Sequence, residues 1–307
     1  MLIIVHEGTY SQLNFEVNKM VDTAGKGCDI LIPFEDRKSL NEIERSLLTK
    51  YRKNIWAKFI KALKDYRLVE EGDRIAVCIS GGKDSMLMAK LFQELKKHHK
   101  EVHFELEFLV MDPGYHPDIK KLMVENCNYL NIPITIFESG IFKIVDNIAK
   151  DYPCFMCAKM RRGALYGKAR ELKCNKISLG HHFNDVIETT LLNLFYTGNF
   201  KTMLPRIRST NFLELELIRP LYHIEERYIE QFTQENGIWP LNCACMVAAE
   251  KTANKRYEMK NLISKLKENI KDVDKSIFTA TQNVNMDAIL GWTKDGEKYS
   301  YLDTYFD

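Results

Sequence analysis

The stretch RIAVCISGGKDS, residues 74–85, carries two glycines, a lysine, an aspartate and two serines at the end of an apolar run. A tight turn needs one glycine and a helix start needs one capping residue, so a plain turn would require fewer special residues. Glycines let the backbone approach a ligand closely, and the amides of such a turn converge on an anion together with a helix N-terminus. We therefore predict a phosphate-binding loop that comprises Ser80, Gly81, Gly82, Lys83, Asp84 and Ser85.

A second set of polar residues occurs in GHHFNDVIET, residues 180–189. Gly180 and His181 are predicted to end a strand, whereas Asp185 and Glu188 lie one turn apart at a helix start. The helix dipole alone would favour carboxylates there, which is the plainer interpretation. Beside a phosphate-binding loop, Asp185 is also a candidate ligand for Mg²⁺, which bridges phosphate oxygens and prefers oxygen ligands.

Two close cysteine pairs stand apart from the other cysteines: Cys154 with Cys157 in CFMC, and Cys243 with Cys245 in NCAC. The C-x-x-C pair fits a redox dithiol, half of a zinc site or part of an iron–sulfur ligand set. Four cysteines would suffice for zinc, although C-x-C matches the spacing of structural zinc sites poorly. The residues alone leave these alternatives open.

The chain has 307 residues, 45% of them hydrophobic, and a formal net charge of +2. This composition is that of an ordinary globular protein, and the net charge does not by itself indicate a nucleic-acid partner. The N-terminus has no basic region ahead of its short apolar run, and no apolar stretch is long enough to cross a bilayer. We therefore expect a cytoplasmic protein without a membrane partner.

A local basic surface is predicted directly after the C-x-x-C pair, where Lys159, Arg161 and Arg162 follow. Charged helix faces are usually only solvated, and this interpretation applies here too. The position beside the proposed site makes these three residues candidates for contact with an RNA phosphate backbone.

Apolar strands alternate with helical patterns through the centre of the chain: RIAVCIS, HFELEFLVMD, PITIFES and KISLG. Such alternation predicts βαβ units and a parallel sheet with helices on both faces, an α/β fold of the Rossmann-like kind. We expect the C-x-x-C pair in a loop before the helix AKMRRGALYGKARELK. The predicted division is a small N-terminal extension (1–47), an α/β domain (48–223) and a helical C-terminal region (224–307) that carries Cys243 and Cys245.

The SGGKDS loop resembles the pyrophosphate loop of the PP-loop ATP pyrophosphatase superfamily, whose pattern is SGGxDS. The chain also resembles the TtcA-like tRNA 2-thiocytidine synthetases from about residue 48 to 284, with the motifs in the same order. The stretches that carry this likeness are RLVEEGDRIAVCISGGKDS, CFMCAKMRRGALY, LGHHFNDVIETTLLNLFYTG and LIRPLYHIEERYIEQF.

The resemblance implies that ATP is bound and that an oxygen is adenylated with release of pyrophosphate. It implies catalytic roles for Lys83, Asp84 and Asp185. The family usually has two adjacent acidic residues where this chain has Asn184–Asp185, which leaves the role of position 184 open. Beyond the SGGKDS loop, the residues that the resemblance assigns to ATP are Met111, Asp112, Gly180 and His181.

In the TtcA-like family, a C-x-x-C pair and one later cysteine hold a [4Fe–4S] cluster beside the ATP site. The resemblance assigns Cys154 and Cys157 to this cluster. Counting without gaps from IEQF aligns Cys243, rather than Cys245, with the third ligand. Three protein ligands leave one iron free to bind exogenous sulfide.

On this resemblance we predict an ATP- and cluster-dependent tRNA sulfurtransferase that replaces a nucleobase C2 oxygen, that of a cytidine, with sulfur. The expected cofactors are ATP, Mg²⁺ and a [4Fe–4S] cluster. The expected partners are tRNA and a sulfur donor, either a cysteine desulfurase or sulfide, and a homodimer is left open. The alternatives are a PP-loop enzyme that thiolates a small molecule, and a lysidine-synthetase-like tRNA ligase that has no use for the three cysteines.

Overall fold

A computed structural model of the chain describes residues 37–99, 101–115, 117–141, 153–238, 253–303 and 305. The described residues fall into two compact units. The first contains those up to Val186 and those from Leu204 to Tyr257, and the second contains Ile187–Met203 and those from Glu258 onward. Most of the predicted N-terminal extension lies outside the described residues, and the predicted division at residues 47 and 223 stays a prediction.

The first unit is built on a six-stranded sheet with the order β3-β2-β1-β4-β6-β5. All neighbouring strands are parallel except β5 and β6, which are antiparallel. This arrangement confirms the predicted α/β class. The strands are β1 (Arg74–Ile79), β2 (Glu105–Asp112), β3 (Ile134–Glu138), β4 (Lys176–Ser178), β5 (Arg206–Arg208) and β6 (Glu216–Ile218).

Helices connect the strands and continue into the second unit. A short π-helical segment, Arg52–Trp56, directly precedes the helix that begins at Ala57. The helices are α1 (Leu40–Leu48), α2 (Ala57–Asp65), α3 (Lys83–His98), α4 (Pro117–Tyr129), α5 (Pro153–Glu171), α6 (Phe183–Thr197), α7 (Glu226–Glu235), α8 (Ala253–Asn269) and α9 (Val273–Ala280).

The central strand β1 is buried after its first residue, as its continuous apolar sequence requires when helices cover both faces of a parallel sheet. On one face, Tyr166 and Ala169 of α5 join a core cluster with Ala76 and Cys78 of β1. Helix α3 follows β1 directly and buries most of its side chains. The strand and the helix that flank the SGGKDS loop are therefore both held in the core.

The order of the strands reverses at β1, since β2 and β3 lie on one side of it and β4 and β6 on the other. Ligands of open α/β sheets bind at the carboxyl ends of the strands where such a reversal occurs. The loops that follow β1 and β4 both leave the sheet at this edge. The fold therefore places the two polar stretches found in the sequence beside each other.

Charged residues tie the opposite edge of the sheet together. Lys176 at the start of β4 is 1% exposed, and its Nζ lies 2.6 Å from Oδ2 of Asp73 and 3.0 Å from Oε2 of Glu70. Arg206 of β5 also pairs with Glu70 at 2.7 Å. Because a buried ammonium is tolerated only with partners, this network is a structural clamp for the amino ends of the strands.

The second unit contains the remainder of α6 and α8, helix α9 and a hairpin of β7 (Gly291–Lys294) and β8 (Glu297–Ser300). Trp292 and Tyr299 stack across the hairpin with ring centroids 5.5 Å apart. Among the described residues, no helix is long and apolar enough to cross a membrane.

The expectation that the C-x-x-C pair lies in a loop is wrong, because helix α5 begins at Pro153 and includes both Cys154 and Cys157. Proline suits the first position of a helix, since its fixed φ is helical and its missing N–H would have no partner there. The sequence signal for this helix start was Pro153 itself.

Candidate active site

The loop after β1 is shaped by its own serines. The Ser85 hydroxyl accepts the backbone N–H of Ser80 at 3.2 Å and donates to the carbonyl oxygen of Gly82 at 2.9 Å. The Ser80 hydroxyl lies 3.2 Å from that of Ser85. Gly81 has φ +86, which favours glycine, whereas Gly82 is extended and precedes the first residue of α3. The loop is thus fixed in shape before any ligand binds.

The turn after β4 lies in close contact with this loop at Gly180. A Cβ atom at Gly180 would lie 3.2 Å from both the carbonyl carbon of Asp84 and the nitrogen of Ser85. A glycine at this position therefore permits the close contact between the two turns, whereas a larger residue would require a shift of a few tenths of an ångström.

His181 is held by a buried arginine. Arg219 follows β6, is 8% exposed, and donates its Nε–H to Nδ1 of His181 at 3.3 Å. A second N–H of Arg219 is bonded to the carbonyl oxygen of Leu204. Burial lowers the pKa of His181 to about 4 and that of Arg219 to about 10. At neutral pH the pair is therefore a neutral imidazole and a charged guanidinium.

Both carboxylate oxygens of Asp185 are engaged. Oδ2 accepts the backbone N–H of His182 at 3.0 Å, and Oδ1 is bonded to the Arg256 guanidinium of α8. Burial raises the pKa of Asp185, but His182 and Arg256 outweigh this effect and the pKa is lowered overall. Asp185 is thus an ionised carboxylate with two partners, and it ties the start of α6 to the start of α8.

Asp84 differs from Asp185 because one of its carboxylate oxygens has no hydrogen-bond partner among the described residues. This oxygen, Oδ1, is buried. Its Oδ2 lies 3.5 Å from the Lys83 ammonium, and His182 Nε2 is 3.7 Å from Oδ1. Burial raises the pKa of Asp84, and the attraction of His182 and Lys83 only partly opposes this. A buried, unsatisfied carboxylate oxygen beside a phosphate-binding loop is a natural position for a cation.

Lys83 points toward helix α7. Its Nζ lies 3.1 Å from Oε1 of Glu226, and the two side chains are 23% and 15% exposed. Burial lowers the pKa of Lys83, but the carboxylates of Asp84 and Glu226 reverse the effect and the pKa is raised. Lys83 therefore stays charged at the edge of the loop.

Met111 and Asp112 end β2, next to β1 at the same edge of the sheet. The Asp112 carboxylate accepts the N–H groups of Gly114 and Tyr115 at 2.9 and 2.8 Å, and Lys120 lies 2.9 Å from its other oxygen. These bonds give Asp112 a structural role, because its carboxylate stabilises the turn that follows β2. The assignment of Met111 and Asp112 to the adenosine stays a prediction.

The predicted metal-binding and RNA-binding residues are described only in part. Cys154 and Cys157 lie in the first turns of α5, and their side chains are outside the described residues, as are Cys243 and Cys245 altogether. Lys159 and Arg162 are exposed on α5, and Arg161 is half-buried. Within the described part of the chain, no group of three His, Cys, Asp or Glu residues could hold a metal ion.

Sequence reasoning missed three contributors to this site: Arg219, Glu226 and the contact of Arg256 with Asp185. Arg219 directly follows the last residue of β6, so its position at the same sheet edge was a usable signal. Glu226 lies in the motif LIRPLYHIEERYIEQF, but nothing local in that motif pairs it with Lys83. The contact of Arg256 with Asp185 spans 71 residues and has no local signal.

These features define a class: an α/β protein that binds a polyphosphate at the switch point of its sheet. Residues 48–240 match the PP-loop domain family. A tRNA-cytidine(32) 2-sulfurtransferase of Syntrophotalea carbinolica is 37% identical over 227 residues, which are 73% of this chain and 86% of that protein. The protein of the same name from Geotalea uraniireducens is 36% identical, and the match covers 79% of this chain and 94% of that protein.

Among solved structures, the U34-tRNA thiolase NcsA from Methanococcus maripaludis with its [4Fe-4S] cluster superimposes with a TM-score of 0.59. It is 22% identical, and the match covers 83% of this chain and 81% of that one. At this identity the likeness supports the fold. The chain belongs to the PP-loop family, and within it to the tRNA-cytidine(32) 2-sulfurtransferases.

Proposed function

We propose that this chain is a cytoplasmic, ATP-dependent tRNA sulfurtransferase that replaces the C2 oxygen of a cytidine with sulfur. One observation carries the proposal: the SGGKDS loop meets the Gly180–His181 turn at the switch point of a PP-loop domain. The relatives at 36–37% identity have names that describe thiolation of tRNA cytidine. They favour this function over the lysidine-synthetase-like ligase and over the thiolation of a small molecule.

In the proposed reaction, the C2 oxygen attacks the α-phosphorus of ATP, and pyrophosphate leaves. The amides of the loop and of the α3 N-terminus bind the pyrophosphate, and the Lys83 ammonium offsets its charge. A sulfur nucleophile then adds to C2, and AMP leaves with the original oxygen. Adenylation is required because an oxygen bonded only to the ring carbon is a very poor leaving group.

The loop offers a ligand for a magnesium ion in the carboxylate of Asp84. Mg²⁺ in nucleotide sites is held by one or two carboxylates together with phosphates of the substrate. The unpartnered Oδ1 of Asp84 meets this requirement, whereas both oxygens of Asp185 are bonded to protein groups. We therefore propose Asp84, rather than Asp185, as the magnesium ligand. The ion, when bound, neutralises charge on the phosphates.

The donor chemistry of the cysteines fits a [4Fe–4S] cluster. Cys154 and Cys157 lie three residues apart in α5, a separation that puts two helix positions on one face. Thiolates are the ligands that such clusters take, and Cys243 is proposed as the third. When bound by three cysteines, the cluster supplies an open iron at which sulfide can be held.

The partners follow from this chemistry. Lys159 and Arg162 are exposed on α5, after the proposed cluster ligands, and are proposed to contact tRNA phosphates together with Arg161. The sulfur is proposed to come from a cysteine desulfurase or from sulfide. Cys78, Cys127 and Cys174 are buried free thiols.

The test is a reconstituted thiolation. Anaerobically purified protein, analysed for iron and sulfide, is incubated with ATP, Mg²⁺, a reductant, sulfide and tRNA from a strain that lacks the gene. Mass spectrometry of the digested nucleosides should show 2-thiocytidine, formed only when ATP is present. If no thiolated nucleoside forms with iron-loaded protein, the proposed function is wrong.

A further inference from the structure

Three helices of the first unit begin beside the SGGKDS loop: α3 at Lys83, α6 at Phe183 and α7 at Glu226. The first N–H groups of a helix have no partner within it and need one from outside. In α7 the preceding residue, Glu225, makes no side-chain capping bond. Instead Asn184 of α6 accepts the backbone N–H of Glu226 on its Oδ1 at 2.9 Å.

The same Glu226 holds the loop lysine through its side chain, with Oε1 3.1 Å from Nζ of Lys83. Lysine has a flexible four-carbon stem and a mobile ammonium, so its position depends on what its partners fix. Asn184 fixes the backbone of Glu226, and Glu226 fixes the ammonium of Lys83. The three residues form a continuous chain of hydrogen bonds across three helix starts.

We infer that Asn184 and Glu226 are positioning residues that hold the Lys83 ammonium where the pyrophosphate part of ATP binds. The inference rests on the proposed function, because ATP is taken as the ligand of the loop. It also gives position 184 a role. An asparagine oxygen accepts the N–H as an aspartate would, but it adds no negative charge near Asp84, which the carboxylates of Asp185 and Glu226 already repel.

The direct test measures binding of Mg·ATP, and of its α,β-methylene analogue, by titration calorimetry with the full chain. Asn184→Ala removes the acceptor and should weaken binding about tenfold, the effect of one misplaced charge-assisted hydrogen bond. Glu226→Ala should do the same. Asn184→Asp keeps the acceptor, and Glu226→Gln keeps an oxygen for Lys83, so both should bind more tightly than the alanine variants.

A double-mutant cycle separates positioning from a merely structural role. In a Lys83→Ala background, Asn184→Ala and Glu226→Ala should weaken binding no further, because the group that they position is gone. Ser39→Ala is the matched control. It removes the capping box of α1, in which Ser39 and Glu42 bond each other, and it should lower stability without changing the affinity for ATP.

Several results would overturn the inference. If Asn184→Ala and Glu226→Ala weaken ATP binding by the same factor in the Lys83→Ala background as in the wild-type chain, the two residues do not act through the lysine. Tighter binding by both Glu226 variants would show that Glu226 only repels phosphate. If the wild-type chain binds and uses ATP but the variants match it, this inference alone fails. If the wild-type chain does not bind ATP, the proposed function fails with it.

Discussion

Arg219 donates its Nε–H to Nδ1 of His181 across 3.3 Å, and this bond fixes the tautomer of the histidine. Because Nδ1 accepts a hydrogen bond, the proton of the neutral ring must be on Nε2. Burial lowers the pKa of His181 to about 4, so the ring is neutral under physiological conditions. His181 therefore carries a neutral Nε2–H donor beside a charged guanidinium.

Replacing His181 by asparagine should flatten the pH dependence of the free energy of unfolding in mildly acidic solution. The pKa of His181 falls from 6.5 to about 4 on folding, so the unfolded chain binds more protons between these values. The contribution of the neutral ring to the free energy of unfolding is complete above the unfolded pKa of 6.5, and it is lost as the pH falls to the folded pKa of about 4. It amounts to at most about 3 kcal/mol.

Urea unfolding of both proteins at about pH 4.5 and pH 7.5 measures this effect. Asparagine retains an oxygen that can accept the Arg219 N–H, and His103→Asn, at an exposed position, controls for the loss of an imidazole. Equal changes with pH in the wild-type and His181→Asn proteins would contradict the prediction.

Changes to the loop side chains should stop the first half-reaction. Lys83→Ala and Asp84→Asn are expected to lower ATP-dependent pyrophosphate release by at least about 100-fold. The first change removes the ammonium that offsets phosphate charge, and the second removes the carboxylate proposed to hold Mg²⁺. The visible absorbance of the protein should stay unchanged, since neither residue belongs to the cysteine set. Lys61→Ala, which breaks an exposed pair with Asp65, should leave both properties intact. Continued pyrophosphate release by the loop variants would mean that SGGKDS is only a structural turn.

Gly180→Ala should weaken ATP binding while changing stability little. The added methyl group would lie 3.2 Å from backbone atoms of Asp84 and Ser85 and would push the loop by a few tenths of an ångström. We expect about tenfold weaker binding in calorimetry, since preorganised donors lose their effect when displaced. Gly167→Ala, whose new Cβ would meet nothing within 4 Å, is the matched control. Unchanged affinity in Gly180→Ala would show that the loop tolerates the shift.

The loop and its sheet were predictable because their signals are local. The residues of RIAVCISGGKDS specify strand, turn and helix within twelve positions, 74–85, and the hydroxyl of Ser85 bonds backbone groups of the same loop. The long-range partners of Asp185 and Asn184 were not predictable, since they are Arg256 and Glu226, 71 and 42 residues away. Pairings of that range are set by the packing of helix starts, which no pattern in a single segment records.

Serine substitutions test the proposed cluster ligands. Cys154→Ser, Cys157→Ser and Cys243→Ser should each lose the brown chromophore and the thiolation activity, because serine is a hard and poor replacement for a soft thiolate. Removing one of three ligands leaves too few protein bonds to retain the cluster. Cys245→Ser should lose much less. Absorbance spectra, iron and sulfide content and nucleoside analysis provide the readouts.

The buried cysteines are the controls, and the later pair decides among the remaining models. Burial raises the pKa of Cys78 and Cys127 to about 12 and that of Cys174 to about 11, so they are thiols and unsuited to bind metal. Their alanine variants should keep the chromophore and the activity. If Cys245 is essential and Cys243 is not, only the alignment of the third ligand is wrong. If both are essential and the metal is zinc, the site is a four-cysteine zinc centre, and sulfur must reach the activated base by a route without an open iron.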